Sequence, residues 1–287
     1  MFERISRFFR NLFQSGSDSD TIVEDASDLM DPMVVKTFEP DAPLVRSRGL
    51  NAPEAASLNL DEITITQPKF VWCLDNGHGS EQDGKRSPFW KNEAGENVRF
   101  EEWEFNRDIV RRIMKLMDDK GLQYFNVVPE DNVGSFLRER VARANQFQSP
   151  LGLPKIYLSI HANAASVSSW NNDVQGLETW YYPNSKTGIR LASAFQQAMV
   201  NFLPTFKDRG IRSHQSGSSK IFYVLRKTSM PAVLTENGFY THEEETLNLM
   251  KDEVRQKIAE AHFTAIVRVE QQGIEQIPTY RPNMIIG

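Results

Sequence analysis

From Pro68 onward, short apolar runs alternate with stretches of helical period. Residues 69–74 form an apolar run of strand length. Over 104–118 the apolar positions Phe105, Ile109, Ile113 and Met117 recur every fourth residue, which places them on one helical face. Residues 123–128 predict a second strand, and Ser135 is placed to cap a helix over 135–147. Strands are predicted at 156–160 and 177–182, with a helix over 185–202 after them. Two further strands are predicted at 220–225 and 232–235, then helices over 243–250 and 252–270. Strands alternating with helices predict an α/β fold: a largely parallel mixed sheet with helices on both faces, forming a single catalytic domain over 67–272. Residues 273–287 read as a C-terminal tail, and no internal repeat is found.

The first 66 residues read differently. Phe2, Ile5, Phe8, Phe9, Leu12 and Phe13 share one helical face over 1–14, with Arg4, Arg7 and Arg10 on another. This amphipathic helix suits a membrane surface or a docking partner, and equally suits packing on its own domain. Charged residues interrupt its apolar positions and no small-residue cleavage site follows, so it does not read as a secretory signal. Residues 15–66 begin Ser/Asp/Gly-rich, carry Pro32, Pro40, Pro43 and Pro53, and sustain no period. They predict an extended acidic linker or docking segment ahead of the catalytic domain.

Charge follows the same division. The 287 residues carry a net charge of −5; residues 1–14 contribute +2 and 15–62 contribute −8, leaving +1 for 63–287. An acidic chain is not the footprint of a nucleic-acid binder. No apolar run approaches the ~20 residues a membrane-spanning helix needs. The lone cysteine, Cys73, excludes an internal disulfide or a multi-cysteine metal site, and its strand position predicts a buried small hydrophobe.

Three predicted strands end in polar residues that a core would reject. They are Asp75-Asn76-Gly77-His78-Gly79, Ser159-Ile160-His161-Ala162-Asn163 and Thr235-Glu236-Asn237-Gly238-Phe239. In open α/β sheets, ligands bind beyond the carboxyl ends of the strands. Zinc hydrolases take three nitrogen or oxygen ligands and keep a fourth position for water. His78 and His161 supply two. The third is a carboxylate, either Glu81, in a His-x-x-Glu spacing, or Glu102, ahead of the first long helix. Glu236 is placed to act as general base.

These residues, taken in order, resemble the zinc N-acetylmuramoyl-L-alanine amidases, the catalytic domain of bacterial cell-wall hydrolases and phage endolysins. Asp75-Asn76-Gly77-His78-Gly79 is similar to the family's opening Asp-Pro-Gly-His-Gly. Glu102 with Asn106 is similar to its glutamate ligand at the head of the first helix. Leu137, Arg140 and Asn145 match a Leu-x-x-Arg…Ala-Asn helix, and 159–164 match Ser-Ile-His-Ala-Asn-Ala. Gly176-Leu177-Glu178-Thr179-Trp180-Tyr181, Val224-Leu225-Arg226 and 231–239 resemble its later strands, the last bearing the catalytic glutamate. The resemblance spans about 70–269. It implies Zn²⁺ on His78, Glu102 and His161, with Glu236 as catalytic base. The implied substrate is peptidoglycan, cut between N-acetylmuramic acid and the L-alanine of the stem peptide.

The chain departs from the family pattern in three places. Asn76 replaces a proline, Pro129-Glu130 stands where a threonine-arginine is usual, and 24 positions separate His78 from Glu102, a longer gap than usual. That added loop holds Pro88, Phe89 and Trp90, with Trp103 nearby, which either line a substrate groove or pack on one another. Asn163 and Arg226 are further candidates for substrate contact, Arg226 toward a stem carboxylate. His214 reads as exposed in a polar loop, and His242 and His262 as surface positions on helices. A zinc carboxypeptidase using Glu81, a non-catalytic peptidoglycan binder, and an assembly protein docked through residues 1–66 are the competing readings. A peptidoglycan hydrolase without an export signal suits a phage-type lysin or a delivered effector acting at the cell wall or periplasm.

Overall fold

The computed structural model describes residues 64–65, 67–133, 136–149 and 151–282. The expected helix over 1–14 and the acidic segment, Thr64 and Ile65 apart, lie outside the described residues.

In chain order the elements are β1 (Val71–Asn76), β2 (Trp90–Lys91), β3 (Asn97–Val98), α1 (Glu102–Asp118), β4 (Gln123–Asn126), α2 (Phe136–Gln146) and β5 (Lys155–Asn163). There follow β6 (Leu177–Tyr181), α3 (Lys186–Phe202), β7 (Asp208–Arg212), α4 (Tyr223–Lys227), β8 (Ala232–Phe239), α5 (Glu243–Leu249) and α6 (Asp252–Gln272). Six strands make one sheet in the order β4-β1-β5-β8-β6-β7, while β2 and β3 pair as a small hairpin. Strands β4, β1, β5 and β8 run parallel, β6 is antiparallel to β8, and β7 is parallel to β6. The sheet is therefore mixed and mostly parallel, as the alternating pattern predicted.

Every residue of β1 is buried, and β5 is buried through its centre. Covered parallel strands read as continuous apolar runs, which is why both were visible in the sequence. Successive side chains alternate between two cores. On one face Trp72, Leu74, Ile156, Leu158 and Val233 pack with Phe105, Ile109 and Ile113 of α1, Phe195 of α3 and Phe263 of α6. On the other, Cys73, Tyr157 and Leu234 pack with Val141 of α2 and with Val224 and Leu225 of α4. Ser185 caps α3 by accepting the Gly188 amide at 2.9 Å. The expected cap at Ser135 lies outside the described residues.

Several expectations need correction. The strand predicted at 220–225 is instead the approach to helix α4. Its aromatic and β-branched run satisfies either period, and packing decides between them: the adjacent Val224 and Leu225 enter the same core, where a strand would send them to opposite faces. Strand β7 has no hydrophobic signature, because Asp208-Arg209-Gly210-Ile211-Arg212 is mostly polar and lies at the sheet edge. The first helix starts at Glu102 rather than residue 104. His242 and His262 are buried, not on the surface: His242 caps α5 by accepting the Glu245 amide, and His262 turns inward from α6. Past α6, Ile277 and Tyr280 are buried too.

Candidate active site

The three predicted strand ends converge. In the sheet register His161 on β5 faces Glu236 on β8, and Glu236 faces Glu178 on β6. The chain leaves β1 through Gly77, whose amide bonds to the Ile160 carbonyl at 3.0 Å. Any larger residue at Gly77 would displace the His161 ring, because a Cβ there would lie 2.1 Å from it. The next residue, His78, takes the left-handed conformation at φ 63°, which is costly for a residue with a Cβ. Two guanidinium groups hold it there. Arg107 donates twice to the His78 carbonyl at 3.2 Å, and Arg140 donates once at 3.4 Å. Glu102 stands in the first turn of α1 and is buried. Its Oε1 accepts the Ala162 amide at 3.1 Å and the Asn106 side chain at 3.4 Å.

His78 Nε2, His161 Nδ1 and Glu102 Oε1 form a nearly equilateral triangle with sides of 3.2, 3.1 and 3.3 Å. A tetrahedral zinc with bonds of about 2.0–2.1 Å has ligand–ligand edges of about 3.3 Å. The donor set and its spacing therefore fit such an ion, and among the described residues this is the one such cluster. Each imidazole also has its other nitrogen engaged, as metal-bound histidines require. His78 Nδ1 lies 2.7 Å from Gln82 Oε1, and His161 Nε2 lies 3.1 Å from Ser159 Oγ.

Electrostatics favour the same roles. Burial pulls the His78 imidazole down to about 4, which keeps it neutral and able to donate a lone pair. Burial pushes Glu102 upward, but His78 and His161 outweigh it and hold the carboxyl well below its ordinary value. Glu236 goes the other way: burial, then the charges of Glu102 and Glu178, push it well above the usual carboxylate range. Its Oε2 is buried without a hydrogen-bond partner among the described residues, which leaves that oxygen free to take a proton. Burial also pushes Asp75 up, yet Arg140 and the Ser159 hydroxyl bring it below its usual value.

The remaining candidates fall in distinct places. Asn163 sits at the end of β5, with Oδ1 accepting the Ala164 amide at 2.8 Å and Nδ2 donating to Glu178 at 3.4 Å. Arg226 is exposed on α4 with its guanidinium over the Tyr223 ring. Glu81 is exposed and is not one of the three clustered residues. In the added loop, Trp90 packs on Trp170 while Phe89 stays 59% exposed under Arg99, so its aromatics do not form one cluster. His214 stacks on Trp180 at 4.6 Å instead of lying free in its loop. In the sequence Glu178 stands only as part of a strand motif. It is nearly fully buried beside Glu236, and Arg209 at 2.5 Å and Trp180 at 2.8 Å both donate to it. A charge inside a buried strand was the available signal. Gln82, in a loop that reads as polar and solvated, left none.

Residues 73–268 match the model of the N-acetylmuramoyl-L-alanine amidase family. YqiI, an uncharacterized protein of Bacillus subtilis (strain 168), is 30% identical over 195 residues, covering 67% of this chain and 81% of that one. The endolysin of Bacillus phage SPP1 is 28% identical over 203 residues, covering 70% of this chain and 66% of the endolysin. The crystal structure of an N-acetylmuramoyl-L-alanine amidase from Clostridium difficile 630 aligns with a TM-score of 0.55 at 26% identity, covering 70% of this chain and 96% of that one. The matched stretch takes in every residue of the centre, from Asp75 and His78 through Glu102 and His161 to Glu236, and the chain belongs to the N-acetylmuramoyl-L-alanine amidase family.

Proposed function

We propose that this chain is a zinc-dependent peptidoglycan hydrolase that cuts the amide between N-acetylmuramic acid and the L-alanine of the stem peptide. The observation that carries the reading is the triangle of His78, Glu102 and His161 donor atoms with the unpartnered Glu236 carboxyl on the adjoining strand. When bound to the three ligands, Zn²⁺ supplies positive charge that polarises a carbonyl and acidifies a water. Glu236 accepts the proton of the water that adds to the lactyl amide carbon. It then returns that proton to the alanine nitrogen as the carbon–nitrogen bond breaks, leaving a carboxylic acid on the lactyl group and a free amine on the peptide, between which the second water proton passes. The raised proton affinity of Glu236 suits both halves of this shuttle. Asn163, two residues past His161 at the end of β5, and Arg226, exposed on α4, are the candidates for substrate contact, Arg226 toward a stem carboxylate. Residues 1–66 are assigned to docking at a membrane surface or assembly. The described residues contain no helix long and apolar enough to cross a membrane. Action at the cell wall follows from that substrate, and a role as a lysin or delivered effector is part of the same proposal.

The test is to incubate purified peptidoglycan with zinc-loaded wild type, Glu236→Gln, Glu102→Ala and Glu81→Ala, and to identify products by mass spectrometry. Stem peptides with a free L-alanine amine are expected from wild type and Glu81→Ala, and not from the other two. Trimmed peptides still attached to sugar, lost in Glu81→Ala, would replace the amidase reading with a carboxypeptidase.

A further inference from the structure

Behind His161 lies a buried polar chain that the hydrolytic steps do not use. Ser159 and His161 lie two apart on β5 and so share a face, and Ser159 stands opposite Asp75 on β1. Ser159 Oγ donates to Asp75 Oδ2 at 2.6 Å and lies 3.1 Å from His161 Nε2. Asp75 Oδ1 is paired with Arg140, which also donates to the Asn76 carbonyl at 3.1 Å. Asp75, Ser159 and Arg140 are each at most 2% exposed, so no water competes for these bonds.

Proton accounting fixes the direction of the chain. An ionised carboxylate only accepts, and Ser159 has one proton, which goes to Asp75. Its oxygen therefore faces the His161 ring as an acceptor, while Glu102 Oε1, also an acceptor, lies 3.1 Å from Nδ1, so the ring keeps its proton on Nε2 once a cation takes Nδ1. The lone pair is left on Nδ1, the atom at the corner of the triangle. His78 is set the opposite way round, with Nδ1 against Gln82 Oε1 and Nε2 turned toward the triangle.

We propose that Ser159 and Asp75 are positioning residues that hold the His161 ring at Nε2 and aim Nδ1 at the metal position, with Arg140 anchoring Asp75. The inference rests on the zinc reading above for its purpose, but not for its geometry. Outer-shell partners of this kind change metal affinity by about 10–100-fold when removed. Ser159→Ala deletes the link while leaving the Asp75–Arg140 pair in place. Ser159→Thr keeps the hydroxyl.

The experiment uses the full chain. Imidazole ¹⁵N shifts of zinc-loaded wild type report which His161 nitrogen keeps its proton, and chelator competition gives zinc affinity for wild type, Ser159→Ala and Ser159→Thr. Thermal melts confirm that each variant is folded. Expected are an Nε2–H ring in zinc-loaded wild type, zinc binding weakened about 10–100-fold in Ser159→Ala, and recovery in Ser159→Thr. An Nδ1–H ring in zinc-loaded wild type overturns the proposal even if Ser159→Ala does not fold. Unchanged zinc affinity in a folded Ser159→Ala overturns it as well. Failure of folded wild type to bind zinc at all would remove the zinc reading and overturn the proposal with it.

Discussion

His262 makes the fold sensitive to mild acid in a way that can be calculated. Its ring is fully buried under β8; Nδ1 lies 2.7 Å from the Ile258 carbonyl and Nε2 lies 2.9 Å from the Thr235 hydroxyl. Burial lowers its pKa to about 4, although the Ile258 carbonyl works in the opposite direction. In the unfolded chain the same imidazole titrates near its ordinary value of about 6.5. Between those two values the unfolded state holds the extra proton. The contribution is therefore complete above about pH 6.5 and is lost as the pH falls toward 4. At pH 5 the deficit is about 1.5 pKa units, or about 2 kcal/mol. Urea unfolding of metal-free wild type and His262→Leu at pH 7.5 and pH 5 isolates this effect. The lost Thr235 bond lowers the variant equally at both pH values, and every other titrating group is common to both proteins. Wild type should lose about 2 kcal/mol more than His262→Leu between the two conditions. If both lose stability in parallel, His262 is not neutral and dry in the core.

Gly77→Ala should weaken zinc binding by on the order of a hundredfold, since the new Cβ displaces the His161 ring; chelator competition measures it. Arg140→Met should cost about 3–5 kcal/mol in urea unfolding, because it leaves the Asp75 carboxylate buried without its partner. Stripping the wild type with a chelator should lower its Tm, and restoring zinc should return it, because an ion held by the folded chain alone stabilises it by mass action. An unchanged Tm would mean that the three ligands hold no ion.

The residues of the candidate centre were legible because each closes a buried strand or opens a helix, where a lone histidine or glutamate breaks an apolar run. His78, His161 and Glu236 stand out this way, and Glu102 does so only through its place ahead of Phe105 and Ile109. What stayed hidden has a common physical cause: the information lies in a neighbour distant along the chain. Thr235 and His262 are 27 residues apart, and neither is unusual without the other. The placement of His262 on a helix gives no hint that its face turns inward, because α6 buries residues almost all round. Strand β7 owes its place to pairing with β6, Thr179 opposite Ile211, and not to its own composition. The run at 220–225 was misread for the opposite reason, since its local signal is strong and compatible with two periods.

The three donor atoms of the centre belong to the end of β1, the start of α1 and the end of β5, and the last of them lies 83 residues from the first. No segment of the chain owns two of them in its own local structure. A partly folded chain therefore lacks a coordination site, even where β1 or α1 has already formed. Hydrolytic competence arises as an all-or-none property of the assembled sheet, together with the tightest binding of its ion. Fragments separated by a cut between Glu102 and His161 would each lack part of the donor set, so such a cut would abolish the centre.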